Sequence, residues 1–130
     1  MSNSFPSATK VVVIGGGVAG CSVAYHLAKF GWKDTILLER DQLTSGTTWH
    51  AAGLIGQLGS SATITKFRKY SLDLYKKLEK ETELSTGLKQ NGAITVATTS
   101  DRLEELKRQA TTAQLFDVEA NMLNPSEIKK

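Results

Sequence analysis

Four apolar residues in a row, Val11-Val12-Val13-Ile14, open the patterned part of the chain. A β-branched run this short, followed at once by glycines, predicts a parallel strand buried on both faces. From Gly17 to Phe30 apolar side chains return at Val18, Cys21, Ala24, Tyr25 and Ala28, a helical spacing, and Gly31 stands where a glycine closes a helix. Thr35 to Leu38 predicts a second buried strand, ending in Glu39. Strand, helix, strand in this order gives two adjacent parallel strands with a right-handed crossover.

Arg40 to Ser61 is rich in Gly, Ser and Thr and keeps no period, which predicts a long loop of the kind that is usually functional. Beyond it Ile64, Phe67, Ser71, Leu74 and Leu78 mark one face of a long amphipathic helix running to about Gly87. Ile94 and Val96 alternate with smaller residues and predict a strand over Gly92 to Thr98. Asp101 with Glu104 makes a capping box for a helix carrying Leu103, Leu106, Ala110 and Ala113. Val118, Ala120 and Met122 suggest one more short strand. Asn124-Pro125-Ser126-Glu127 then places a cap residue, a proline and a glutamate in the order that starts a helix. Since a helix of one turn does not repay its nucleation, the sequence reads as the amino-terminal piece of a longer domain. Its expected organisation is a leader over 1–9, a strand-helix-strand unit with its loop over 10–62, and a helix-strand-helix segment over 63–130. The expected fold class is α/β.

Composition narrows the class of partner. Hydrophobic residues are 40% of the 130 and charged ones 22%, enough apolar material for a core and too much for a disordered segment. The net charge of +3 is spread over two predicted helices without an arginine-rich run, so nucleic acid is not an expected partner. The densest basic stretch, Lys66, Arg68, Lys69, Lys76 and Lys77, is expected to be a solvated helix face. Cys21 is the single cysteine, which excludes an internal disulfide and fits a reducing compartment. No segment approaches the roughly 18 apolar residues of a membrane span, and Met1 to Thr9 has neither an arginine nor an apolar core. The expected placement is cytoplasmic, and no metal site is expected.

Gly15-Gly16-Gly17-Val18-Ala19-Gly20 satisfies G-x-G-x-x-G with Gly15, Gly17 and Gly20 in the three required places. The pattern is weak alone. Here it has a strand before it, a helix after it, and an acidic residue, Glu39, closing the second strand, which is the context of a dinucleotide site. Gly15 permits the turn, Gly17 lets backbone amides approach a diphosphate, and Gly20 lets helix and strand pack closely. The helix amino end offers partial positive charge and unsatisfied donors, and Glu39 can accept from ribose hydroxyls. The glycines do not decide between NAD and FAD, and a plain NAD-binding domain stays open on them alone.

The residues after Glu39 bear on that choice. Thr44-Ser45-Gly46-Thr47-Thr48-Trp49-His50-Ala51-Ala52-Gly53-Leu54 resembles the FAD-dependent amine oxidoreductases of the D-amino-acid oxidase superfamily, and within it the dimethylglycine and sarcosine dehydrogenases. The resemblance runs from Lys10 to about Leu106 and implies a Rossmann-type FAD-binding domain with a parallel sheet, truncated within its FAD and substrate region. It implies that His50 carries the flavin covalently, on a ring nitrogen that the sequence leaves open. It also implies cofactor contacts at Val18, Ala19, Glu39, Arg40, Gly46, Thr47, Thr48, Trp49, Ala51, Ala52, Gly53 and Leu54.

The activity implied is oxidation of an N-methylated glycine by hydride transfer to FAD. An electron-transfer flavoprotein or oxygen would be the acceptor, and a folate region would lie further along. No catalytic acid or base is assigned. Two other resemblances stay open: another amino-acid oxidase of the superfamily, and a non-enzymatic relative like the regulatory subunit of pyruvate dehydrogenase phosphatase. His50 can also be read as a loop residue that only hydrogen-bonds. His26, mid-helix, and Cys21 are read as structural.

Overall fold

Val11-Val12-Val13-Ile14 and Thr35-Ile36-Leu37-Leu38 pair as the parallel strands β1 (Val11–Ile14) and β2 (Thr35–Leu38), in step from Val11 opposite Thr35 to Ile14 opposite Leu38. The computed structural model describes residues 6–128, so the first five residues of the expected leader and the last two of the chain lie outside the described residues. The chain divides into two units, 1–54 and 55–130.

In the first unit, α1 (Val18–Lys29) connects the strands. Its end is a Schellman motif: the Gly31 amide donates to the Ala28 carbonyl at 3.0 Å and that of Trp32 to Leu27 at 2.9 Å. Gly31 has φ +86°, a conformation in which a side chain would be strained. Thr9 closes the start of the sheet by donating to the Asp34 carbonyl and carboxylate, each at 3.0 Å. β1 is covered on one face only, which corrects the expectation of burial on both. Val11 and Val13 are half-buried, whereas Val12 and Ile14 point the other way and are 48% and 86% exposed. The alternation follows from the pleat, since α1 is the element of this unit that packs on the sheet.

In the second unit, α2 (Ala62–Thr82) starts at Ser61, whose hydroxyl accepts the Ile64 amide at 3.3 Å. It ends five residues before Gly87, because Glu83 turns left-handed and the Glu79 carboxylate takes the Thr86 amide and the hydroxyls of Ser85 and Thr86. The buried face of α2 is carried by Thr65 and Leu72, with Lys69 half-buried between them; Phe67, expected on the inner face, is 68% exposed. Thr65 can be buried because its hydroxyl is fully used, donating to the Ser61 carbonyl at 2.9 Å and accepting the Gly59 amide at 3.0 Å. Lys69 leaves the expected solvated set: its ammonium donates to the carbonyls of Phe116 and Asp117, just past a helix that ends at Gln114. A cation there complements the negative end of a helix.

α3 (Ser100–Gln114) is capped by Thr99, whose hydroxyl accepts the Arg102 amide at 3.2 Å, so the helix begins before the expected Asp101–Glu104 box. Asp101 lies in its first turn, where a negative charge also suits the helix. The stretches 92–98 and 118–122 are not strands. A strand exists through its ladder, and among the described residues no neighbour pairs with either segment; Ile94 and Val96 are 69% and 70% exposed. The last expectation holds in detail. At α4 (Pro125–Ile128) the Asn124 side-chain oxygen accepts the Ser126 and Glu127 amides, and the Glu127 carboxylate accepts the Asn124 amide at 2.7 Å, a reciprocal capping box.

No helix among the described residues is long and apolar enough to cross a membrane, and no group of three His, Cys, Asp or Glu is placed to hold a metal.

Candidate functional site

The chain leaves β1 into a turn that only its glycines permit. Gly15 has φ +102°, and its amide donates to the Leu38 carbonyl at 2.8 Å, which carries the ladder one step past the strands. A Cβ on Gly20 would lie 1.8 Å from the Gly15 carbonyl oxygen, so the first turn of α1 touches the backbone of the turn directly. This is the close packing expected of the third glycine.

Glu39, one residue past β2, is brought beside Gly16 by the strand register. Its carboxylate accepts the Gly16 amide at 2.6 Å and the Asp41 amide at 3.1 Å. The first of these bonds does most to hold its carboxyl below the ordinary glutamate range, so the group is ionised at neutral pH. It is therefore an anion fixed at the mouth of the turn.

The loop after Glu39 folds back on the same turn. Leu43 lies over Gly16, the Thr44 amide donates to the Gly16 carbonyl at 2.9 Å, and the Thr48 hydroxyl accepts the Val18 amide at 2.9 Å. Gly17, at the helix cap, has no side chain to supply this acceptor, so Thr48 caps α1 from thirty positions away. The amides of Gly17, Ala19 and Gly20 have no acceptor among the described residues. Three amides without acceptors at a helix amino end, beside a glycine turn, suit a diphosphate.

From Thr44 to Ala51 consecutive turn bonds hold the loop: Trp49 to Thr44, His50 to Thr47, Ala51 to Thr48. The His50 ring is exposed, with Nδ1 3.0 Å from the Gly46 carbonyl. Since a carbonyl only accepts, Nδ1 is the ring nitrogen that donates here, and Nε2 has no partner among the described residues. His50 is two residues from Thr48, so their Cα atoms are within about 7 Å of each other.

The structure thus brings Gly15, Gly17, Val18, Glu39 and Thr48 together. Arg40, Gly46, Thr47, Trp49, Ala51, Ala52, Gly53 and Leu54 remain exposed, with Trp49 at 79% and Leu54 at 91%. Leu43 and Thr44 belong to the site and were not among the expected residues. His26 holds its own helix through the Ser22 carbonyl at 2.7 Å, and Cys21 donates to the Gly16 carbonyl at 3.4 Å, both structural as expected.

A glycine turn, a buttressing glutamate and a histidine loop docked on the helix end make up the site. The family described as FAD dependent oxidoreductase matches residues 10–130. The chain belongs to this family.

Within it, the chain is 45% identical over 129 residues to human mitochondrial sarcosine dehydrogenase, covering 98% of this chain and 14% of that protein. It is 44% identical over 121 residues to human mitochondrial dimethylglycine dehydrogenase, covering 93% and 14%. A third relative is the mouse mitochondrial pyruvate dehydrogenase phosphatase regulatory subunit, 39% identical over 127 residues, with 98% and 14% covered. The chain therefore spans about a seventh of the length of these relatives. Among solved structures, glycine oxidase from Bacillus cereus ATCC 14579 superposes with a TM-score of 0.62 at 28% identity, over 82% of this chain and 30% of that one. The parallel pair and its crossover helix are accordingly the opening of a Rossmann-type FAD fold.

Proposed function

We propose that the chain is the cofactor-entry part of an amine dehydrogenase whose FAD is carried on His50. The diphosphate would rest on the amides of Gly17, Ala19 and Gly20. Glu39 and Arg40 would face the ribose, and the loop from Gly46 to Leu54 would follow the cofactor toward its ring. When bound, FAD supplies a two-electron acceptor for hydride from the carbon beside an amine nitrogen.

The observation that carries the reading is the state of His50. Its Nδ1 proton is committed to the Gly46 carbonyl, so Nε2 is the nitrogen that would bond the 8α-methyl carbon of the oxidised flavin, in place of a C–H bond whose proton is lost and whose two electrons oxygen would take. By likeness to the sarcosine and dimethylglycine dehydrogenases, the substrate class is an N-methylated glycine. An electron-transfer flavoprotein or oxygen would take the electrons, and a folate-binding region would follow further along.

The test is acid precipitation of the full-length gene product. Flavin should stay with the protein pellet, and His50→Ala should release it into the supernatant. Free flavin from the unmutated protein overturns the reading. A second reading is favoured by the 39% identity to the phosphatase regulatory subunit: the fold would serve as an interaction module. A colourless full-length product with no amine oxidation supports that alternative.

A further inference from the structure

We infer that Thr48 is a positioning residue for His50: by accepting the Val18 amide, its hydroxyl docks the histidine loop on the first turn of α1 and sets where the imidazole waits. The inference rests on the reading of His50 just given.

The loop meets the glycine turn through few contacts. Two are hydrogen bonds, Thr44 amide to Gly16 carbonyl and Val18 amide to Thr48 hydroxyl, both 2.9 Å. Thr44 makes the first while held at φ +67°, a conformation unfavourable for a β-branched residue. A strained residue persists only where its surroundings over-determine it, so the loop needs its second anchor.

Apolar packing does little at the far end of the loop. Trp49 and Leu54 are mostly exposed, and of residues 44–54 only Thr48 is even half-buried. The turn bonds from Thr44 to Ala51 tie His50 and its neighbours to the residues around Thr48, so a hold at Thr48 bears on the imidazole two residues on. Gly17 is what admits the hydroxyl: a Cβ there would lie 3.0 Å from Thr48 Oγ1. The hydroxyl uses only its acceptor side on Val18. Its own proton has no acceptor among the described residues and can be donated onward to an anion at the helix end.

Thr48→Val keeps the shape and removes the acceptor, and Thr48→Ser restores it. Both variants of the full-length gene product would be prepared without flavin, given saturating FAD, and followed for the growth of acid-stable flavin. The Val variant is expected to attach flavin roughly 3- to 10-fold more slowly, the range set by one lost hydrogen bond, with Ser close to the unmutated rate. A Val variant as fast as the parent, or a Ser variant as slow as Val, overturns the inference. Should the unmutated protein bind FAD without an acid-stable bond, the His50 reading fails. Amide hydrogen exchange then decides the Thr48 role by itself. Faster exchange at Val18 and across 44–51 in the Val variant, and not in Ser, supports the docking; equal exchange in all three overturns it.

Discussion

Gly20→Ala is the perturbation that most directly probes the contact between helix and turn. The new methyl would sit 1.8 Å from the Gly15 carbonyl oxygen, where about 3.0 Å is the closest that real Cβ atoms come. Helix and turn would have to separate by about 1.2 Å, the difference between those two distances. The oxygen cannot swing aside cheaply, because Gly15 is fixed by its positive φ and by its amide bond to Leu38. Alanine within a helix gains about 1 kcal/mol over glycine, while overpacking of this kind costs at the upper end of about 1–3 kcal/mol. The net is a loss of about 2 kcal/mol, roughly 30-fold in the folding equilibrium.

The measurement is urea denaturation of the full-length gene product followed by circular dichroism, with FAD content read from visible absorbance. Gly46→Ala is the control. No atom lies within 4 Å of its added methyl and its φ is not positive, so its change should stay within about 0.5 kcal/mol. A Gly20→Ala protein as stable as the Gly46→Ala control, with the flavin content of the unmutated protein, would refute the close-packed turn.

Other outcomes follow from the same geometry. Thr65→Val, which leaves the Gly59 amide without its acceptor in a fully buried place, should lower unfolding stability by about 1–3 kcal/mol, with Thr65→Ser recovering most of it in the same denaturation assay. Glu39 has a depressed folded pKa, so its contribution is present above the ordinary glutamate value of 4.5 and is lost as pH falls through the lower folded value. Glu39→Gln should therefore be less stable than the parent at neutral pH and lose less stability on acidification; parallel pH profiles for the two proteins would contradict this. His50→Ala should release flavin on acid precipitation, and Thr48→Val should slow its attachment.

The parts of the fold that were legible in the sequence are those whose signal is local. Gly31 closes α1 because only a residue tolerant of positive φ fits there, and Asn124 to Glu127 form their capping box from four consecutive residues. The glycine turn was readable because each glycine answers a nearby steric demand. The expected strands over 92–98 and 118–122 were not secure for the opposite reason. Alternation of Ile94 and Val96 states a preference, and a strand needs a partner that those residues do not name. The start of α3 was misplaced because Thr99 and Asp101 are both competent caps, and the structure uses the earlier. The inner face of α2 was misread because Thr65 looks polar in a sequence. Its two hydrogen bonds make it buriable, and they come from Gly59 and Ser61, outside the helical period. At the site, Glu39 was found by its position after β2, while the docking of Thr44 and Thr48 depends on a loop path that no periodicity encodes.

The in-step pairing of β1 and β2 limits where the chain tolerates a change of length. Because Ile14 and Leu38 finish opposite each other, Glu39 arrives beside Gly16. Adding or deleting one residue within β2, between Thr35 and Leu38, would turn Glu39 to the other side of the sheet. The segment 88–98 belongs to neither helix nor strand and imposes no such count. A reporter or linker grafted into this protein has no room inside β2.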